Sequence, residues 1–173
     1  MNGGKIIINP AQQGPKYAGA GNTCLYGATG GKLYVRAAVG ERFGVRNSGA
    51  ITVVEGTGDS PCEYMTGGIA VILGNTGVNF GAGMTGGLAF VYDPEKTFVD
   101  KMNQELIEPV RVDTDDTERE RWYLKRLLLD YLHETQSEIA EYILQNFRAE
   151  IRNFWMVKPK NMTVLPLDPD KGD

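Results

Sequence analysis

Thr66-Gly67-Gly68-Ile69-Ala70-Val71-Ile72-Leu73, followed nineteen residues later by Thr85-Gly86-Gly87-Leu88-Ala89-Phe90-Val91-Tyr92, decides the reading of this chain. Each stretch is a glycine pair that opens a short apolar run. Further copies read Gly3-Gly4-Lys5-Ile6-Ile7-Ile8, Gly30-Gly31-Lys32-Leu33-Tyr34-Val35 and Ser48-Gly49-Ala50-Ile51-Thr52-Val53-Val54. The second glycines fall at 4, 31, 49, 68 and 87, in steps of 27, 18, 19 and 19 residues. A fixed short period means that each unit buries its face only against its neighbours, which is a solenoid. Runs of this length, rich in Val, Ile, Leu and Tyr and bounded by glycine, read as strands, and the period leaves no room for a helix pair. The prediction is an all-β solenoid, a parallel β-helix with about 18–19 residues per coil, over residues 1–94. Gly31, Gly49, Gly68 and Gly87 are expected in one column along one sheet.

Working outward, Asn9 to Gly21 is rich in turn residues and reads as a loop protruding from a corner. It accounts for the long first step. The chain opens directly on a strand copy, whose bare edge suggests earlier coils in a longer parent. Between the glycine-led strands lie Cys24 to Ala28, Arg42 to Arg46, Cys62 to Met65 and Asn79 to Met84, which place bulky groups among glycines. Such segments suit tight corners that need positive φ. Asp93-Pro94 is expected to end the solenoid.

Residues 95–116 read as a connecting segment. Thr117 and Glu120 form a capping-box pattern, and Leu124, Leu128 and Leu132, with Trp122, Leu127 and Tyr131 beside them, mark an amphipathic helix. Thr135 and Glu138 mark a second start, with Ile139, Ile143, Phe147, Ile151 and Phe154 on one stripe. The expectation is a helical hairpin over 117–156 and an extended tail over 157–173.

A net charge of −4 offers no basic stripe for phosphates and argues against a nucleic-acid partner. No run of 18 apolar residues or signal peptide occurs, so no membrane association is expected. The two cysteines, Cys24 and Cys62, read as buried thiols of a cytoplasmic protein rather than a disulfide framework. The one histidine, His133, would have to meet one of them to make a nucleophile–base pair.

Gly81-Ala82-Gly83-Met84-Thr85-Gly86 spells a dinucleotide-type glycine motif. That motif works only where a helix opens behind it, and here a strand follows, so it reads as a coil corner. Glu41, Arg42, Arg46, Glu55, Asp59 and Glu63 form a charged group around the middle coils, read as ion-pair ladders or an interdomain interface rather than acid–base machinery. Asn22, Asn47, Asn75 and Asn79 read as local turn formers. A rival solenoid is the hexapeptide acyltransferase type, since Leu33, Val39, Val45 and Ile51 are six apart. The phase is lost at Thr57, and no histidine lies in the coils to act as base.

Gly21 to Gly31, Gly40 to Ala50, Cys62 to Gly68 and Asn79 to Gly87 together resemble the large subunit of glutamate synthase, in its C-terminal G-x-G-x-G domain. The likeness continues through Asn103 to Leu106, the region of His133 and Val157 to Pro159. It implies a right-handed β-helix with a structural role in an enzyme of nitrogen metabolism. That oxidoreductase, acting on CH-NH2 donors, hydrolyses glutamine and passes the ammonia to a flavin site, where 2-oxoglutarate becomes glutamate. The resemblance places the glutaminase, the central domain, the FMN-binding domain and an iron–sulfur cluster upstream, with a small FAD/NADPH subunit as a further partner. No catalytic, cofactor-binding or metal residue carries over to this chain. The function expected is thus a non-catalytic interdomain scaffold; the alternatives are a stand-alone β-helix subunit that assembles with separately encoded glutamate synthase domains, and the acyltransferase.

Overall fold

The structure is a computed structural model and describes residues 1–162. Strands β1 (Asn2–Ile8), β2 (Gly14–Ala18), β3 (Gly30–Val35), β4 (Ala37–Ala38), β5 (Ile51–Val54), β6 (Thr66–Ile72) and β7 (Gly86–Tyr92) come first. After them come β8 (Ile107–Arg111), the helices α1 (Glu118–Thr135), α2 (Glu138–Gln145) and α3 (Phe147–Glu150), and β9 (Phe154–Pro159). One seven-stranded sheet runs β1-β3-β5-β6-β7-β9-β8, and β2 pairs with β4 in a second, small sheet. The first four pairings of the large sheet are parallel, as stacked coils require, and β9 joins antiparallel to β7 and β8. The chain is a parallel β-solenoid of about four turns followed by helices.

Val53 and Val54 of β5, Ile69 to Ile72 of β6 and Leu88 to Tyr92 of β7 are continuous apolar runs because both faces of the sheet are covered there, whereas β1 and β2 are mostly exposed. Leu33, Val35, Val54, Ala70, Ile72, Ala89 and Val91 point into the coils, where they meet Phe43, Cys62, Met65, Phe80 and Met84. Their neighbours Tyr34, Val53, Val71, Phe90 and Tyr92 point outward onto Leu124, Leu128, Tyr131 and Ile143 of the helical layer. Alternation at period two thus feeds two separate cores from one sheet. The six-spaced apolar positions do not share a face: Leu33 and Val39 belong to the inner core, and Ile51 packs on the outer one.

The register corrects the expected glycine column. Lys32 pairs with Ile51, Ile51 with Ile69 and Ile69 with Leu88, so Gly31, Ala50, Gly68 and Gly87 are equivalent. Gly49 belongs one column earlier, with Gly30, Gly67 and Gly86. In that earlier column a Cβ at Gly49 would lie 2.2 Å from the Thr29 carbonyl oxygen, at Gly67 2.2 Å from that of Ser48, and at Gly86 2.1 Å from that of Thr66. Gly31, Gly68 and Gly87 turn with φ near +80°, whereas Ala50 does not. There the buried Asn47 side chain accepts from the Ala50 N–H and donates to its carbonyl, taking over the turn.

The corner segments are left-handed in three columns. Thr23, Arg42, Ser60 and Asn79 form one, Leu25, Gly44, Cys62 and Gly81 the next, and Gly27, Arg46, Tyr64 and Gly83 the third. The expected loop at Asn9 to Gly21 contains β2, held parallel to β4. The stack also runs past Asp93, because Phe80 and Met102 form a parallel bridge. The connecting segment 95–116 supplies β8, an edge strand that tolerates Pro109.

The helical part departs from a plain hairpin. A 3-10 turn over Asp115–Thr117 leads into α1, so Thr117 makes no side-chain cap and the capping box does not form. Ser137, rather than Thr135, caps α2 by accepting from the Ala140 N–H. Asn146 closes α2 by donating to the Tyr142 carbonyl. Phe147 and Ile151 then lie in short turns, and Phe154 to Pro159 is strand rather than helix end and tail. The rest of the expected tail, 163–173, lies outside the described residues.

Candidate functional site

Two places concentrate polar side chains: the seam between sheet and helices, and the left-handed corners. At the seam, Tyr131 Oη donates to the Val35 carbonyl at 2.8 Å, and its ring meets Tyr34 edge-on at 5.5 Å. Tyr34 Oη donates to Asp130 at 2.5 Å, and Lys5 of β1 reaches Glu134 at 2.7 Å and Asp130 at 3.5 Å. Burial acts to raise the Asp130 carboxyl, but the Tyr34 hydroxyl and Lys5 outweigh it and hold it below the usual range. Arg36 Nη1 donates to the Thr135 carbonyl at the end of α1. Below it, Ser137 Oγ donates to Glu55 Oε1 at 2.6 Å while capping α2. Desolvation pushes the Glu55 carboxyl up, with Ser137 and Arg36 acting against that. Farther along, Tyr92 Oη donates to Glu150 Oε2 at 2.5 Å. Each bond joins a coil to a helix across 58 or more residues of chain.

At the corners, polar side chains tie one coil to the next. Asn22 Oδ1 accepts from the Glu41 N–H, and Asp59 Oδ1 from the Val78 N–H, each at 2.9 Å. Asn79 donates to Glu63 at 3.2 Å and accepts from Asn103 at 3.4 Å. The charged group around the middle coils is therefore not an ion-pair ladder. Arg42 and Arg46 make no salt bridge among the described residues, and Glu55 lies buried at the seam rather than on the surface.

The other candidates are also placed. Cys62 is fully buried inside the coils, and burial lifts its thiol to about 12. Cys24 donates to the Gly21 carbonyl at 3.4 Å, and desolvation raises it too. His133 is exposed on α1, on the other side of the sheet from Cys62. Gly81 and Gly83 are corner residues with φ near +70°, and β7 follows them. A Cβ at Gly83 would lie 2.5 Å from the Tyr64 ring, so that glycine makes room for the coil below. Among the described residues no group of three metal-ligating side chains occurs, and no helix is long and apolar enough to cross a membrane. Sequence reasoning missed Glu55, Ser137 and Tyr131 as a set, because nothing in their spacing joins residues so far apart.

The GXGXG motif family matches residues 1–160. The ferredoxin-dependent glutamate synthase of Pyropia yezoensis is 48% identical over 164 residues, covering 92% of this chain and 10% of that protein. The NADH glutamate synthase of Schizosaccharomyces pombe is 46% identical over 92% of this chain and 8% of its own length. The chloroplastic ferredoxin-dependent enzyme of Spinacia oleracea is 46% identical over 96% of this chain and 10% of its own length. The chain thus spans about a tenth of the length of these relatives.

Proposed function

The chain belongs to the GXGXG motif family, a domain of glutamate synthase, and from that premise we propose that it acts as a rigid, non-catalytic scaffold within such an enzyme. Its role is to hold the other domains of the longer polypeptide at fixed spacing while they make glutamate from glutamine and 2-oxoglutarate. The observation that carries this reading is the double anchoring of the sheet, with backbone ladders between coils and a row of seam bonds to the helices. A unit whose two cores share one sheet resists shear between its layers.

The residues present support assigning flavin and cluster to other parts of the enzyme. An iron–sulfur cluster needs several thiolates. This chain offers two cysteines, one of them fully buried among Phe43, Met65 and Met84. A flavin phosphate would want backbone N–H groups at a helix N-terminus. The glycine run at 81–87 opens a strand instead.

The test uses the full-length polypeptide carrying Gly49→Val. Yield and melting temperature should fall, while glutaminase and flavin-reduction rates per folded, flavin-loaded subunit stay near those of the unsubstituted enzyme. A hundredfold loss in either chemical step at unchanged stability would make this stretch part of a site and end the scaffold reading.

A further inference from the structure

The buried stripe of α1 runs through Leu124, Leu127, Leu128 and Tyr131, and Trp122, which the sequence places beside it, faces away. Trp122 is 58% exposed and Leu129, two turns on, is 48% exposed. Arg126, between them, is exposed as well. Beside Trp122 a cavity of about 540 Å³ opens between α1 and the turns after α2, floored by Phe147 and Ile151 and rimmed by Arg121, Lys125, Arg148 and Arg152, four cations against the one carboxylate of Asp113. Lys125 sits 5.5 Å from the Trp122 ring centre and 5.4 Å from that of Phe147. Among the described residues none of these cations takes part in a salt bridge, although the chain as a whole carries −4.

We infer that this face of α1 is where the unit docks onto the rest of the enzyme, against an acidic surface of another domain that presents an apolar side chain to the cavity. The inference rests on the scaffold reading and names the face that reading needs. Tryptophan and arginine are the residues that most often anchor protein interfaces, with an apolar centre inside a polar rim. Clustered cations in a net acidic unit select a partner of opposite charge and fix its register. About nine-tenths of each relative lies outside the region matched here, so the polypeptide holds ample surface to cover the face.

The test is hydroxyl-radical footprinting of the full-length enzyme, with Tyr64 and Tyr26 on the coil corners, 57% and 54% exposed, as references. After correction for intrinsic reactivity, Trp122 and Leu129 should oxidise roughly fivefold or more slowly than the references, as a desolvated anchor does. Lys125→Glu with Arg126→Glu should remove that protection. Trp122 as reactive as Tyr64 overturns the inference. If the corner tyrosines are protected instead, docking occurs elsewhere and the scaffold reading stands; if no part of the chain is protected, both fall. Protection that appears only with anionic vesicles or nucleic acid, or that vanishes on removing residues 163–173, also overturns it.

Discussion

Glu55 and Ser137 meet across 82 residues of chain, the serine donating at 2.6 Å to one carboxyl oxygen while capping α2 with the same hydroxyl. Glu55 is 1% exposed, and its second oxygen has no partner among the described residues. One seam residue of the coils thereby helps set the position of the second helix. The cost is a half-satisfied carboxyl, and an unmet buried polar atom costs on the order of 1–3 kcal/mol.

That cost gives a pH signature. The folded carboxyl is raised above its ordinary 4.5, chiefly by desolvation, so the folded state binds the proton more tightly than the unfolded state. The contribution is full below pH 4.5 and is lost as pH rises through the folded value. Glu55→Gln keeps an acceptor for Ser137 and removes the charge. Its stability relative to the parent should therefore climb as pH rises from about 4.5 through the raised folded value. Urea titrations at several pH values measure it, and a flat difference would mean that Glu55 is solvated.

The close approach of successive coils separates two kinds of glycine. Gly49→Val should cost about 2 kcal/mol or more, in the overpacking range, because a Cβ there meets the Thr29 carbonyl at 2.2 Å. Gly27→Ala, at φ +65° with nothing within 4 Å of the added carbon, should cost only about 1–2 kcal/mol from its left-handed backbone. Thermal melts of the two variants should rank in that order. Equal losses would show that backbone conformation, not stacking distance, limits the coil.

Arg46 is an exposed residue held at φ +57°. Glycine in its place relieves the Cβ crowding of the left-handed region and gives back part of the gain as unfolded-state entropy. Arg46→Gly should therefore raise the melting temperature by about 2–4 °C, the shift expected of 1 kcal/mol in a domain of this size. A lower melting temperature would point to an unrecognised contact of the guanidinium.

Thiol reactivity offers a fourth check. Cys62 is fully buried with its thiol raised to about 12, so it should resist iodoacetamide at pH 8 until the chain unfolds. Cys24, half-buried and also raised, should react slowly in the folded state. Mass spectrometry before and after denaturation distinguishes the two. Fast native labelling of Cys62 would show that the inner core opens.

The solenoid, its coil length and the positive-φ corners were legible from the residues alone. Those features repeat at a fixed period, and each repeat meets only its neighbours, so local pattern and global contact coincide. The sequence also marked α1, where apolar residues every third or fourth position leave little choice. What it left open arose where contact and spacing part. The column holding Gly49 was decided by a carbonyl in the coil below, and Asn47 freed Ala50 from the glycine that its neighbours in the column require. Strands β8 and β9 formed because the open edge of β7 needed partners, a demand invisible in Ile107 to Arg111 or Phe154 to Pro159 read alone. The Glu55–Ser137 and Tyr34–Asp130 bonds, like the outward turn of Trp122, were settled when the helical layer chose its angle on the sheet. That choice depends on the packing of two surfaces far apart in the chain, and no local period encodes it.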